Sequence, residues 1–410
     1  MPRLSASSFE TDVRILYLAD IRFPLERANG IQTMETCCAL ADRGHEVRLV
    51  VRPDTERPPR DPFEFYGLAP HARVLVQQTA VYGPPAMRRM AYLAQALGNV
   101  ASARLRNRAD VVITRDLGVA SLLLGLPRSM RPPLVYESHG FAPVFAEWMP
   151  EMLSGGASAS GEKLRRLLGR ETRVWRGAEG YVTITEGLAR DLTERLGPRD
   201  HLSMIPDGVR LAPGRRFVPP RETASPMVAY SGHLYPWKGV DVLLSALALL
   251  PAARGLIVGG HPAESDRDRL EALADTLRIR DRVRFTGLVP HHQVTALLEQ
   301  ADVLVMPHTA TPVSERYASP LKLFEYMALG KPIVASDLSA VREVLRDGET
   351  ACLVKASDST SLASGITKVL EHPDLAEQIA RRAFDAAASY TWARRAERLD
   401  ALLGVVTRPS

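Results

Sequence analysis

Short runs of valine, isoleucine and leucine alternate with helical patterns along the whole chain, which predicts parallel strands joined by crossover helices. In the N-terminal half the runs predict the strands Val13–Ala19, Glu46–Val51, Arg73–Val76, Val111–Thr114, Leu134–Glu137, Tyr181–Thr185 and Leu202–Ile205. In the C-terminal half they predict Met227–Ser231, Leu256–Gly259, Val283–Thr286, Val303–Met306, Ile333–Ala335 and Cys352–Val354. We therefore expect an α/β fold of two Rossmann-like domains that face each other across a cleft.

The boundaries follow from composition. After the first strand a loop is predicted from Asp20 to Gly30, then a helix whose apolar positions recur at helical spacing. A proline-rich stretch without periodicity, residues 211–226, predicts a linker between a domain at 1–210 and a domain at 227–385. Residues 386–410 are predicted to hold a C-terminal helix that crosses back to the first domain.

Chain length and cysteine content limit the classes of protein to which the sequence can belong. A chain of 410 residues exceeds one ordinary core and fits two domains. Three cysteines, Cys37, Cys38 and Cys352, do not form a disulfide framework, so a cytoplasmic location is expected. The first twenty residues lack the apolar core of a secretory signal, and the most apolar stretch, Val240–Gly260, is broken by polar residues and proline. Neither a signal peptide nor a spanning helix is predicted.

The charge is mildly basic. Arginines and lysines number 52 against 47 acids, for a net charge of +5, and the basic residues are dispersed, so no nucleic-acid partner is predicted. One local cluster lies on a predicted helix: Lys163, Arg165, Arg166, Arg170, Arg173 and Arg176. Two interpretations stay open for it, a solvated face or peripheral contact with an anionic membrane.

An aromatic-rich segment with Phe141, Phe145 and Trp148 is predicted as a loop, and a Ser/Gly/Ala stretch, Leu153–Gly161, follows it. Such segments either cover an active site or simply connect elements. Both alternatives stay open here.

Ligands of open α/β sheets bind at the carboxyl ends of the strands. After the strand ending at Ser231, the loop GHLYPWKG places Lys238 just before a helix, where a cation and free amides suit a phosphate. After the strand ending at Met306, a Ser-Pro turn leads into a helix with Lys322 in its first turn and Glu325 three residues later. Taken singly, each of the three also fits a solvated surface side chain.

The motifs together are more specific. The stretch SPLKLFEYMALGKP, with GHLYPWKG, IPDGV, RVRFTGLV and ADVLVMPH, resembles the retaining glycosyltransferases of family 4, which have the GT-B fold. The N-terminal ANGIQTMETCCALADRGHEVRLV resembles that family's first glycine loop and helix, and YESHG resembles its histidine loop.

The resemblance implies a nucleotide-sugar donor, with a UDP-sugar or GDP-sugar as the candidates, and roles for particular residues. Lys238 would neutralise the diphosphate, Glu325 would hold the ribose, and His139 would contact the transferred sugar or the leaving phosphate. The residues implied in donor binding are Gly30, His233, Gly259, Phe285, Gly287, Ser319, Leu321 and Lys322. Departure of the diphosphate would be stabilised by cations and amides, with no protein nucleophile, no metal and no cofactor.

The sequence departs from the family pattern at two positions. Tyr317 stands eight residues before Glu325, where a glutamate is common, and His233 stands where an arginine is common. Glu315 or Ser319 would be the substitutes for the missing carboxylate, and Lys322 for the missing cation.

Several functions therefore stay open. The main prediction is transfer of a sugar to a glycan, a lipid-linked or a small-molecule acceptor. The alternatives are a non-catalytic nucleotide-sugar-binding subunit and a GT-B-like nucleotide-sugar epimerase.

Overall fold

The first sheet is built from near-continuous apolar runs, as expected of strands covered on both faces. In the computed structural model, which describes residues 12–54, 58–80, 83–153, 158–220, 223–262 and 265–408, it has seven strands. They are β1 (Arg14–Phe23), β2 (Glu46–Pro53), β3 (Val74–Gln78), β4 (Val111–Thr114), β5 (Leu134–Ser138), β6 (Gly180–Thr183) and β7 (Leu202–Met204). Their order is β3-β2-β1-β4-β5-β6-β7, and the pairs from β3 through β5 are parallel.

The helices of this half connect successive strands. They are α1 (Ala28–Asp42), α2 (Pro62–Tyr66), α3 (Pro85–Leu105), α4 (Leu117–Leu123), α5 (Ala142–Met152), α6 (Gly161–Gly177) and α7 (Glu186–Leu196). Because β1 continues to Phe23 and α1 begins at Ala28, the predicted loop Asp20–Gly30 is too long. The polar residue Asp20 conceals the end of the strand in the sequence, but its carboxylate is buried and pairs with Arg52 at 2.7 Å and Arg89 at 3.0 Å.

The second sheet has six parallel strands in the order β10-β9-β8-β11-β12-β13. They are β8 (Met227–Ser231), β9 (Arg254–Val258), β10 (Val283–Gly287), β11 (Val303–Met306), β12 (Ile333–Ser336) and β13 (Cys352–Val354). Alternate residues of a strand belong to different cores: Val303 and Val305 pack in one apolar cluster, Leu304 and Met306 in another. Both faces of this sheet are therefore covered.

The helices of the second half follow the same scheme. They are α8 (Val240–Ala248), α9 (Asp266–Thr276), α10 (His291–Leu298), α11 (Pro312–Arg316), α12 (Leu321–Leu329), α13 (Ser339–Arg342), α14 (Ser359–Glu371), α15 (Pro373–Ala386) and α16 (Trp392–Val406). Every strand predicted from the sequence is present, and the prediction of two parallel-sheet α/β domains is confirmed.

Contacts divide the described chain into two units. The first comprises Met1–Glu137, Arg173–Tyr181 and Ala396–Ser410, and the second comprises Ser138–Thr172 and Val182–Arg395. The predicted return of the C-terminal helix is confirmed, because α16 begins in the second unit and its residues from Ala396 onward pack within the first. There Asp400 pairs with Arg43 at 2.5 Å, and Val406 lies against Gly180.

Two residues of the segment predicted as a linker contact helices of the second half. The ring of Phe217 lies 6.0 Å from that of Phe384, and Arg215 pairs with Glu299 at 2.9 Å. The first sheet ends before this segment, at Met204, and the second begins after it, at Met227. The domain bounds 1–210, 227–385 and 386–410 stay predictions.

The prediction of a loop for the aromatic-rich segment is wrong, because most of the segment is helical. Phe145 and Trp148 lie in helix α5, and Phe141 occupies its N-cap position without a side-chain capping hydrogen bond. A helix forms despite Pro143 because the first turn has no intrahelical donor to lose. For residues 153–161 the sequence left two roles open, covering an active site or simply connecting elements. Residues 154–157 lie outside the described residues.

Helix α6 carries the predicted basic cluster. Lys163, Arg165, Arg166, Arg173 and Arg176 are exposed, while Glu171 on its other side is fully buried. Within the described residues no helix is long and apolar enough to cross a membrane.

Candidate active site

The turn after β8 sets the position of Lys238. Residues Pro236–Lys238 form a 3-10 turn that ends at Gly239, whose φ of +69° is left-handed. A Cβ on Gly239 would lie 1.8 Å from the carbonyl oxygen of Pro307, so only glycine lets this turn approach the loop after β11. The backbone and hydroxyl of Thr309 both donate to the carbonyl of Trp237, at 3.1 and 3.3 Å. The two strand-end loops are thereby held together.

Lys238 is a cation without an anionic partner. Its Nζ lies 3.6 Å from the centre of the Trp237 ring, and it makes no hydrogen bond or ion pair with the described residues. Burial lowers the pKa of Lys238 to about 7. Such a group is stabilised by a bound anion, which would restore its charge.

Lys322 is a second such cation, and it is 8% exposed. Helix α12 places its Nζ 3.8 Å from the centre of the Tyr230 ring, where it has no hydrogen-bond partner among the described residues. A Cβ on Gly232 would lie 2.8 Å from that nitrogen. Burial, and then the charge of Lys238, lower the pKa of Lys322 well below its usual value, while Glu325 opposes the shift. The structure therefore brings Lys238, Lys322 and Glu325 together.

His308 belongs to the same cluster, although the sequence indicates no role for it beyond its place at the end of the ADVLVMPH motif. It follows β11, is fully buried, and its ring lies 5.3 Å from that of Trp237. Burial and the charges of Lys238 and Lys322 lower its pKa well below the usual range, which keeps the imidazole neutral. Its proximity to the lysines arises from the turn at Gly239, which sequence spacing does not reveal.

The N-terminus of α12 faces the same region. Pro320 precedes the helix and provides no side-chain cap, so the first amides, at Leu321 and Lys322, have no partner within the helix. Ser319 is engaged elsewhere, because its Oγ accepts a hydrogen bond from the backbone of Asp207 at 3.3 Å. The role of the Leu321 and Lys322 amides in donor binding stays a prediction.

His233 lies in the loop after β8, with its ring stacked on Tyr235 at 4.9 Å and its carbonyl accepting from Tyr230 at 2.6 Å. The predicted glycines approach neighbouring backbone closely. A Cβ on Gly259 would lie 2.3 Å from the carbonyl of Gly232, and Gly259 pairs with Gly287 as an isolated bridge. These contacts bring the ends of β8, β9 and β10 together.

Phe285, one of the residues implied in donor binding, borders a cavity of about 480 Å³ between β10 and α10. The guanidinium of Arg280 lies 5.7 Å from the centre of its ring. Neither Lys238 nor Lys322 lines this cavity.

One of the two departures from the family pattern, Tyr317, has a structural explanation. Tyr317 is buried, stacks on Phe145 at 6.0 Å and donates a 2.5 Å hydrogen bond to Asp191 of α7. Glu315, suggested as a substitute carboxylate, accepts hydrogen bonds from the backbone and hydroxyl of Ser339, at 3.1 and 3.2 Å. Tyr317 therefore serves a packed contact with α5 and α7.

Two of the predicted site residues, His139 and Gly30, come before the second sheet in the sequence. His139 follows β5 and is half-buried, and helix α5 after it lies against the Pro236–Lys238 turn. Gly30 lies in the first unit, in the first turn of α1, where a Cβ would be 2.3 Å from the hydroxyl of Tyr66 and 2.4 Å from the carbonyl of Leu25. Glycine is thus required at position 30 by the protein's own packing.

Metal ligands are sparse. Asp266 and Asp268 form an Asp-Arg-Asp sequence in the first turn of α9, and Asp266 pairs with Arg269 at 3.4 Å. Among the described residues no group of three or more His, Cys, Asp or Glu side chains is placed to hold a metal ion.

The structure defines a class: α/β proteins of two parallel-sheet domains. At the strand ends of the second sheet it places two lysines whose ammonium groups have no hydrogen-bond partner among the described residues. Comparison with known families is more specific. The family described as "Glycosyl transferases group 1" matches residues 215–386, and the "Glycosyl transferase 4-like domain" matches residues 30–208. The two matches together span most of the chain, which belongs to the group 1, family 4-type glycosyltransferases.

Named relatives agree. A D-inositol 3-phosphate glycosyltransferase of Nocardia farcinica is 32% identical over 286 residues, 66% of this chain and 60% of that protein. One of Mycolicibacterium smegmatis is 31% identical over 67% of this chain and 62% of that protein. A phosphatidyl-myo-inositol mannosyltransferase of Mycobacterium leprae is 35% identical over 38% of this chain and 40% of that protein. The chain thus spans about three fifths of the length of the first two relatives.

Solved structures show the same fold. A sucrose-phosphate synthase of Thermosynechococcus elongatus superposes with a TM-score of 0.72 at 20% identity, covering 95% of this chain and 98% of the synthase. The Anabaena protein HepE, solved in complex with UDP, superposes with a TM-score of 0.69 at 18% identity, covering 96% and 100%. The fold is therefore GT-B.

Proposed function

We propose that this chain transfers a sugar from a nucleotide-sugar donor to an acceptor, with retention of configuration. The observation that carries the proposal is the cluster of Lys238, Lys322 and His308, whose side chains have no hydrogen-bonding anion among the described residues. Buried cations without partners destabilise a fold, and such groups concentrate at functional sites. A diphosphate is the ligand that this cluster suits.

The cluster also fits the chemistry of the departing group. As the glycosidic bond breaks, negative charge grows on the diphosphate, and preorganised cations and helix amides stabilise it. Lys238, Lys322 and the first amides of α12 supply these groups. Glu325, close enough to Lys322 to affect its pKa, is proposed to accept hydrogen bonds from the ribose. His139 is proposed to contact the transferred sugar or the leaving phosphate.

A diphosphate oxygen is proposed to take the acceptor proton on the face from which the leaving group departs. This assignment rests on the family's retained stereochemistry, and Glu325, the carboxylate that acts on Lys322, is assigned to the ribose instead. No protein nucleophile is assigned. The non-catalytic subunit and the epimerase are the alternatives, and release of free nucleotide only when an acceptor is present would separate the transferase from both.

UDP-sugars are the first donors to test, because HepE was solved with UDP and with UDP-glucose. GDP-sugars are the second. For the acceptor, the proposal covers glycans, lipid-linked glycans and small molecules. Inositol 3-phosphate is the first to assay, since the relatives from Nocardia and Mycolicibacterium are named for it.

We further propose a cytoplasmic enzyme with peripheral membrane contact through α6. Cys37, Cys38 and Cys352 are free and buried, as a reducing compartment allows. The exposed arginines of α6 flank Leu168, which is 44% exposed, a pattern suited to anionic lipid. Co-sedimentation with phosphatidylglycerol vesicles but not with phosphatidylcholine vesicles would support the contact, and equal sedimentation with both would oppose it.

A thermal-shift comparison of UDP and GDP tests donor binding. One of the two, present at 100 times its dissociation constant, is expected to stabilise the folded chain by about 2.7 kcal/mol, which raises the Tm by several degrees. Uridine and guanosine, which lack the diphosphate, are the controls and are expected to shift the Tm far less. No shift with either diphosphate would contradict the proposed function.

A further inference from the structure

His308 has a combination of features that a core histidine rarely shows. It is fully buried, yet neither Nδ1 nor Nε2 has a hydrogen-bond partner among the described residues. Buried polar groups are almost always paired, and leaving one unpaired costs about 1–3 kcal/mol. An imidazole kept at this cost points to a ligand that pairs with it.

The surroundings of His308 indicate the charge of that ligand. The side chains that act on it electrostatically are Lys238, from the turn after β8, and Lys322, from α12. Both are cations that themselves lack a hydrogen-bonding anion among the described residues. An imidazole on which two ammonium charges act stays neutral, so it keeps one N–H to donate. The combination of two cations and one N–H donor suits an anion rich in acceptor oxygens.

The position of His308 is fixed by its neighbours. Thr309, the next residue, donates twice to the carbonyl of Trp237, and Gly239 brings its turn against Pro307. The Trp237 ring contacts both the Lys238 ammonium and the His308 imidazole. The loops after β8 and β11 therefore hold Lys238 and His308 next to each other.

We propose that His308 is a third binding group of the diphosphate site, donating a hydrogen bond from one imidazole nitrogen to a phosphate oxygen of the donor. This inference rests on the proposed function, because it requires the cluster to receive a phosphate. It adds a neutral side-chain donor to a site otherwise made of lysine ammonium groups and backbone amides. The opposing interpretation is a histidine that merely fills the core beside Trp237.

Calorimetric titration of full-length His308→Phe and His308→Gln separates the two roles. Phenylalanine keeps a planar ring beside Trp237 but removes the donor, and glutamine keeps an N–H. UDP, or GDP where the wild type binds that instead, is expected to bind His308→Phe about 10-fold or more weakly, since a hydrogen bond to a charged group contributes about 1.5–3 kcal/mol. His308→Gln is expected to stay within a few-fold of the wild type.

Two further measurements show whether a lost hydrogen bond to phosphate causes the weaker binding by His308→Phe. The Tm of ligand-free His308→Phe is expected to equal or exceed that of the wild type, because the unpaired nitrogens are gone. The affinity for the matching nucleoside, which has no phosphate, is expected to stay unchanged. Wild-type affinity for the diphosphate in His308→Phe, an equal loss for the nucleoside, or a lower ligand-free Tm would each overturn the inference. If the wild type binds neither UDP nor GDP, the proposed function itself fails.

Discussion

Replacement of Lys238 by alanine is expected to lower the turnover of sugar transfer by about 100-fold or more. Removing one preorganised group that stabilises charge in a transition state costs about 10²–10³-fold in kcat. The Lys238 ammonium has no anionic partner among the described residues, so its charge is available to the departing diphosphate. Steady-state kinetics with saturating donor and acceptor would measure the loss.

The matched control is Lys355→Ala. That lysine is 79% exposed and pairs with Asp358 at 3.3 Å on the surface, so its removal changes the charge equally without touching the cluster. Its turnover is expected to stay within about twofold of the wild type. Near-normal turnover in a folded Lys238→Ala variant would contradict the role assigned to Lys238.

Replacement of Lys322 by methionine is expected to change stability and affinity in opposite directions. Its ammonium is buried without a hydrogen-bond partner among the described residues, and such a group costs about 1–3 kcal/mol or more. Methionine fills similar space without the charge, so the ligand-free Tm is expected to rise by a few degrees. The affinity for the nucleotide diphosphate is expected to fall about 10-fold or more, because a charge-assisted contact is lost.

The stability of Lys322→Met relative to the wild type is expected to depend on pH. A lysine whose pKa is lowered in the folded state binds fewer protons folded than unfolded, so wild-type stability rises with pH toward the unfolded pKa near about 10.4. The stability advantage of Lys322→Met is therefore expected near pH 7 and shrinks as the pH approaches 10. A variant less stable than the wild type at pH 7, with unchanged affinity, would show that Lys322 is structural.

The fold was predictable because its strands are continuous apolar runs. The second sheet is covered on both faces, so its central run Val303–Met306 contains no polar residue to obscure it. The exceptions depend on tertiary contacts. The end of β1 contains Asp20, whose burial depends on Arg52 and Arg89. Helix α5 contains two prolines and was predicted as a loop, yet its Phe145 packs on Tyr317.

The candidate site was predictable in part. Lys238, Lys322 and Glu325 lie in motifs at strand ends and helix starts, and the structure groups them as those motifs indicated. His308 was missed because a single histidine after a strand has no spacing signature. Its role depends on Gly239 and Thr309, which bring two loops together. The hydrogen bond between Tyr317 and Asp191 joins residues 126 positions apart, a separation at which sequence patterns give no signal.

The most direct test of the account is a crystal structure of the chain with the nucleotide diphosphate that gives the larger thermal shift. The account predicts phosphate oxygens within about 3 Å of Nζ of both Lys238 and Lys322, at the distance of charge-assisted hydrogen bonds. A diphosphate bound away from these two nitrogens, with both still unpaired, would contradict it.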